Sequence, residues 1–253
     1  MRLKAYCMLR SASVYRREVF CSGLAQAGYA VMTTPFNPSP DDVLLIWNRY
    51  GQFHAEANRF EKNGARVLVT ENGYMRDGIG DGKWYALAIG HHNGAGHWRV
   101  GGPERWDALN VEMQPWHGGN DVVIFAQRGI GENGIASPRG WAESVQKKYG
   151  GRIRAHPGNN EPAVPLADDL KNARAVLTWH STAALYALMY GVPVFYAFPQ
   201  WIGALASLPL SKFVEDAPCC DSAARLNMFR RIIWAQWHID EIADGTAFRH
   251  LLR

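Results

Sequence analysis

The chain has 253 residues, 47% of them hydrophobic and 20% charged, which is enough apolar side chain for a real core and excludes disordered and fibrous structure. That length holds one large domain or two half-size lobes. The net charge of +4 permits a polyanionic partner without demanding one, and no apolar run approaches the about 18 residues that a membrane span needs.

Short apolar runs followed by longer amphipathic ones give the first third an alternating strand and helix rhythm. Strands are predicted at Leu3 to Leu9, Tyr29 to Thr33, Val43 to Trp47 and Arg66 to Thr70, with helices at Tyr15 to Ala27 and Gln52 to Asn63, each closed by a glycine. This order implies a parallel sheet covered by helices. The glycine-rich stretch from Glu71 to Gly119 has one clear strand, Trp84 to Ile89, and reads as functional loops. The rhythm then restarts with strands at Asp121 to Ala126, Arg152 to Ala155, Ala175 to Thr178 and Val192 to Phe195. Helices are predicted at Pro138 to Tyr149, Leu166 to Asn172 and Ser181 to Tyr190, and one long amphipathic helix at Ser222 to Ile242. The expected architecture is α/β with two Rossmann-like lobes and a cleft between them. The first lobe covers 1–119 and the second 120–221, and the helix in 222–253 is free to pack back on the first.

The start of the chain lacks the apolar core of a signal peptide, so a cytoplasmic protein is expected. Four cysteines without C-x-x-C spacing read as ordinary reduced thiols. Ten tryptophans are many for this length, and those beside turns, such as Trp84, Trp98, Trp116, Trp141 and Trp201, suit stacking on sugars or bases, although a buried core role is the commoner one.

Three strand ends of the second lobe carry chemistry. Thr178 closes a strand, and Ser181 and Thr182 open the next helix, where backbone N–H groups and a hydroxyl favour an anion. His156 and Pro157 follow the strand Arg152 to Ala155, and Gln127 and Arg128 follow the strand Asp121 to Ala126. In an open α/β sheet such ends share one crevice with the ligand. Gly129, Gly131 and Gly134 spell a dinucleotide-like pattern, but no helix opens on it, so it reads as a phosphate-friendly loop. His91, His92 and His97, followed by His117, raise a metal alternative; no cysteine or carboxylate stands at ligand spacing beside them, so no metal is expected, and the run reads instead as a glycine-rich acceptor-binding loop with His91 or His92 as a base or sugar contact.

A His-Pro after one strand, with a Ser-led helix ending in Gly191-Val192-Pro193-Val194-Phe195, resembles the nucleotide-sugar lobe of two-lobed (GT-B) glycosyltransferases, particularly bacterial sialyltransferases and capsule-type Kdo transferases. Thr70-Glu71-Asn72-Gly73-Tyr74-Met75-Arg76 is similar to the acceptor-side segment of the capsule-type enzymes, with Asn72 at that segment's second acidic position. The resemblance implies a metal-independent transferase with a nucleotide sugar as co-substrate and no other cofactor. It puts His156, Pro157, Ser181 and Thr182 on the donor, joined by Gln127 and Arg128 from the strand-end reading, with Arg128 stabilising the departing phosphate. The catalytic base is sought first at Glu71, then at Asp77 and His91.

For the acceptor, the basic chain slightly favours a hydroxymethylated pyrimidine in DNA, as in small phage enzymes of this general fold, over a capsule or lipopolysaccharide glycan. The competing readings are a sugar-nucleotide 2-epimerase or hydrolase, and a noncatalytic nucleic-acid-binding protein. Composition and spacing leave the oligomeric state open.

Overall fold

The computed structural model describes residues 3–75, 79, 83–159, 164–214 and 220–253. Two units divide the chain: residues 1–105 together with 231–253, and residues 106–230. In the first, β1 (Lys4–Cys7) leads to α1 (Arg17–Gln26), followed by β2 (Ala30–Met32), β3 (Val43–Trp47), α2 (Gly51–Lys62), β4 (Arg66–Asn72) and β5 (Trp84–Ile89). After a short α3 (Glu104–Asp107), the second unit runs β6 (Asp121–Phe125), α4 (Trp141–Tyr149), β7 (Arg152–Arg154), α5 (Leu166–Leu170), β8 (Ala173–Thr178), α6 (Ala183–Met189), β9 (Val194–Tyr196), β10 (Leu208–Pro209) and α7 (Ser222–Ile232). The chain then re-enters the first unit with β11 (Gln236–His238), α8 (Ile239–Ala243) and α9 (Thr246–Leu251).

The second unit has the parallel sheet that its rhythm implies, in the order β10-β9-β8-β6-β7 with every pairing parallel. The sheet of the first unit, β11-β5-β4-β3-β1-β2, is parallel only from β2 to β4. There the expected all-parallel sheet is corrected: β5 runs antiparallel to β4, and β11 antiparallel to β5. A parallel return needs a crossover of a dozen or more residues, usually a helix, and the segment between β4 and β5 is shorter than that.

The tail also departs from expectation. Its helix stops at Ile232, because the next residues turn into β11 and pair with the open edge of β5. Trp237 of β11 is fully buried, with the Arg105 guanidinium 4.2 Å from its ring centroid. Arg105 also forks onto Glu241, whose carboxylate accepts the His238 N–H at the start of α8. A cation, an aromatic face and a capped helix start thus outweigh the helical periodicity of the segment.

The first sheet has one core on each face. One gathers Phe20, Leu24, Leu45, Leu68, Trp237, Ile242 and Phe248 beneath α1, α8 and α9; the other gathers Tyr6, Ile46, Phe53, Phe60 and Val69 beneath α2. Gly23 of α1 lies so near α8 that a Cβ there would stand 1.7 Å from the Ile242 carbonyl oxygen, so only glycine allows this helix contact. In the second unit, Ile124, Trp141, Val145, Leu177 and Phe195 form the core. Trp84, Trp141 and Trp201 are buried, which gives these three the core role rather than an exposed stacking role.

Candidate active site

β4 carries Glu71 to its carboxyl end, and the residues around that carboxylate form a closed set of contacts. The Asn93 N–H donates to Glu71 Oε1 at 3.1 Å, and the Tyr74 hydroxyl, itself buried, also bonds to the carboxylate. Removal of solvent pushes the Glu71 carboxyl up from its ordinary value of 4.5 to about 7, against the opposing pull of those two hydrogen bonds. The same burial, with the Glu71 charge nearby, holds the Tyr74 phenol well above its usual range, so it stays a donor. Gly73, between the two, lets β4 approach β5, since a Cβ there would lie 2.7 Å from the Trp84 carbonyl oxygen.

Asn93 is delivered by the loop after β5. Its left-handed backbone, φ 57°, is one that asparagine tolerates. Just before it, the His92 N–H donates to His91 Nδ1 at 2.9 Å and the two rings stack at 4.5 Å. His92 is buried, and its Nδ1 accepts the Arg49 N–H at 3.0 Å, which leaves the proton of the neutral ring on Nε2. The Arg49 side chain reaches the Gly90 carbonyl at 2.5 Å, Asn58 at 2.7 Å and both Glu61 carboxylate oxygens at 2.6 Å.

In the second unit the strand-end residues separate into two groups. Gln127 and His180 brace each other: the His180 N–H donates to Gln127 Oε1 at 2.9 Å, while the Gln127 amide lies 2.7 Å from His180 Nδ1. His180 Nε2 lies 2.9 Å from the Ile135 carbonyl, which also takes the Trp179 indole N–H at 2.9 Å. One tautomer, with the proton on Nε2, satisfies both ring nitrogens. Arg128 is exposed and lies beside His156; a Cβ on Gly158 would meet Arg128 Nη1 at 3.3 Å and His156 Nδ1 at 3.1 Å. His156 Nδ1 accepts the Gly158 N–H at 2.9 Å, so the neutral ring presents Nε2–H. Burial, and then the Arg128 charge, lower the pKa of His156 below its ordinary value and favour that neutral ring.

The structure therefore brings Arg128 and His156 together, with Pro157 exposed next to them. Ser181 differs from the simple helix cap expected of it: α6 starts at Ala183, Thr182 holds the cap position, and Ser181 Oγ accepts the Ala183 N–H at 3.2 Å. The Ser181 N–H in turn donates to Thr178 Oγ1 at 2.8 Å. His91 stands two residues from Asn93 and Asp77 lies outside the described residues. His97 is exposed and bridges Ile89 through its backbone, whereas His117 belongs to the other unit and pairs its N–H with the Gly191 carbonyl. Arg49, Glu61 and Asn93 went unrecognised in the sequence, whereas His92 stands in the histidine run between two glycines and Tyr74 in the segment from Thr70 to Arg76.

The two units are each Rossmann-like, an α/β sheet with helices against it. Among solved structures, the chain is similar to Thermosulfurimonas dismutans KpsC, β-Kdo 2,7-transferase, at 12% identity and a TM-score of 0.60, covering 97% of this chain and 99% of that one. It is similar also to Thermosulfurimonas dismutans KpsC, β-Kdo 2,4-transferase, at 13% identity and a TM-score of 0.56, covering 94% and 92%. At such identities the likeness is one of fold. No protein-family model matches the chain, and no curated protein sequence matches it significantly. Among the described residues, no helix is long and apolar enough to cross a membrane.

Proposed function

We propose that the protein is a glycosyltransferase that moves a sugar from a nucleotide sugar to a glycan hydroxyl. The observation that carries this reading is the placement of the Glu71 carboxyl: in a fold shared with Kdo transferases, it sits at a strand's carboxyl end, held by the Asn93 N–H and the Tyr74 hydroxyl, and burial pushes its pKa up to about 7. A base of that strength is partly ionised at neutral pH yet still accepts a proton readily. The acceptor oxygen attacks the anomeric carbon as Glu71 takes its proton. The bond from that carbon to the phosphate oxygen breaks, and the nucleotide leaves with the electron pair. Arg128 meets the growing charge on the phosphate, and neutral His156 donates Nε2–H to the nucleotide. Ser181, Thr182, Pro157 and the Gln127 loop complete the donor contacts.

The DNA acceptor favoured by composition finds no support in the comparisons, since the two structures named above are Kdo transferases by name, and this favours the glycan. Their names make nucleotide-activated Kdo the first donor to test. Purified protein is incubated with that donor and either an oligosaccharide or hydroxymethylated DNA, and products are weighed by mass spectrometry. Sugar on the oligosaccharide alone is expected. Sugar on DNA alone reverses the acceptor reading. Conversion of the sugar while still nucleotide-linked, without any acceptor, establishes the epimerase instead.

A further inference from the structure

Arg49 lies outside every motif in the chain, yet it holds the loop that touches Glu71 at two points. Its guanidinium donates to the Gly90 carbonyl at the start of the loop, and its backbone N–H donates to His92 Nδ1 one residue before Asn93. The side chain cannot swing away, because the Glu61 carboxylate grips it in a two-point fork and Asn58 closes the remaining side. Both Glu61 and Asn58 come from α2, whose buried face packs under the same sheet, so the anchor is a rigid element. At the far end of the loop, the Asn93 N–H meets Glu71 Oε1.

We propose that Arg49 is a positioning residue for the transfer reaction: through Gly90 and His92 it sets the loop that fixes the Asn93 N–H on the Glu71 carboxylate. The inference rests on Glu71 being the base proposed above. It explains why a guanidinium 9% exposed is kept beside a site when its carboxylate partner, Glu61, is 40% exposed. A lysine could supply the charge for such a pair, whereas only a planar fork also locks direction. Two described groups hydrogen-bond to Glu71, Asn93 from the loop and Tyr74 from the turn after β4. The titratable rings in that loop are His91 and His92, and the nearby charges Arg49 and Glu61 pair with each other.

Arg49→Lys tests this, since it keeps the positive charge and loses the fork. The full chain is labelled with 13Cδ-glutamate, Glu71 is assigned by its loss in Glu71→Gln, and its titration is followed by NMR. Parent Glu71 should titrate near pH 7. In Arg49→Lys the titration midpoint should rise by about one pH unit, as expected for loss of one hydrogen bond to a charged group. Turnover at pH 6 should then fall by about tenfold with KM for the nucleotide sugar unchanged, because below both midpoints the variant keeps only about a tenth as much ionised base as the parent. A folded Arg49→Lys protein that has lost only melting temperature, with Glu71 titrating as in the parent, overturns the proposal. If Arg49→Lys does not fold, His92→Leu cuts the second tether and leaves the ion pair, and the same two outcomes decide. Parental turnover in Glu71→Gln overturns the base reading and with it the role of Arg49 in the transfer, whereas a parental Glu71 titration in Arg49→Lys overturns the role of Arg49 and leaves the base reading standing.

Discussion

The two strand-end sites hold their polar groups in opposite ways. Around Glu71 of the first unit, carboxylate, phenol, loop N–H and the Arg49 fork are hydrogen-bonded in series across four segments of chain. Around His156 of the second, the cation is exposed, and among the described residues Arg128 makes no hydrogen bond or ion pair. The contrast matches two tasks. A base works through one defined position and one defined pKa, so it gains from a network that fixes both. A site for an anionic leaving group works by offering donors, which need to be unsatisfied until the ligand arrives.

The largest effect expected of that contrast is on turnover. Glu71→Gln should lower kcat by about 10²- to 10⁴-fold while calorimetry finds nucleotide binding unchanged; weakened binding with intact kcat would turn the two assignments around. Next in size is Gln127→Ala, which strips the brace from buried His180 and should cost about 1–3 kcal/mol in denaturant unfolding. His156→Ala and Ser181→Ala should each weaken nucleotide binding by about tenfold with the fold intact. Two variants that bind as tightly as the parent would empty the donor site of its assigned residues.

A subtler check uses linkage. Because Glu71 binds its proton more tightly when folded than when unfolded, stability is greater below pH 4.5 and declines as pH rises to about 7. Glu71→Gln should remove that slope from the melting temperature; a slope that persists would assign it to other groups. The smallest effect is at His156, whose NMR titration should shift upwards in Arg128→Gln as the neighbouring charge disappears. No change would mean that the two side chains are apart in solution.

What was legible in the chain divides along similar lines. β3 reads from five apolar residues in a row, and Glu71 from its place just after the apolar run of β4, because both depend on neighbours in sequence. The network behind Glu71 depends on pairs far apart: Arg49 meets His92 across 43 positions and Glu71 meets Asn93 across 22. Nothing local marks such pairs, and the His-His-Asn run on its own suggests a base or sugar contact, or a metal ligand, rather than these hydrogen bonds. β11 was hidden for another reason. Its residues suit the helical period of the preceding segment, and only the open edge of β5 makes them a strand.

That edge carries a consequence for synthesis on the ribosome. The first sheet is interrupted in sequence by residues 106–230, so β5 is made long before the strand that covers it. Until residue 238 has emerged, β5 offers a bare row of N–H and C=O groups, and α1 lacks the α8 and α9 residues that seal Phe20 and Leu24. The second unit, contiguous in the chain, can complete its parallel sheet meanwhile. A nascent chain with about 230 residues outside the ribosome would thus have a second unit able to close and a first sheet with one edge still open.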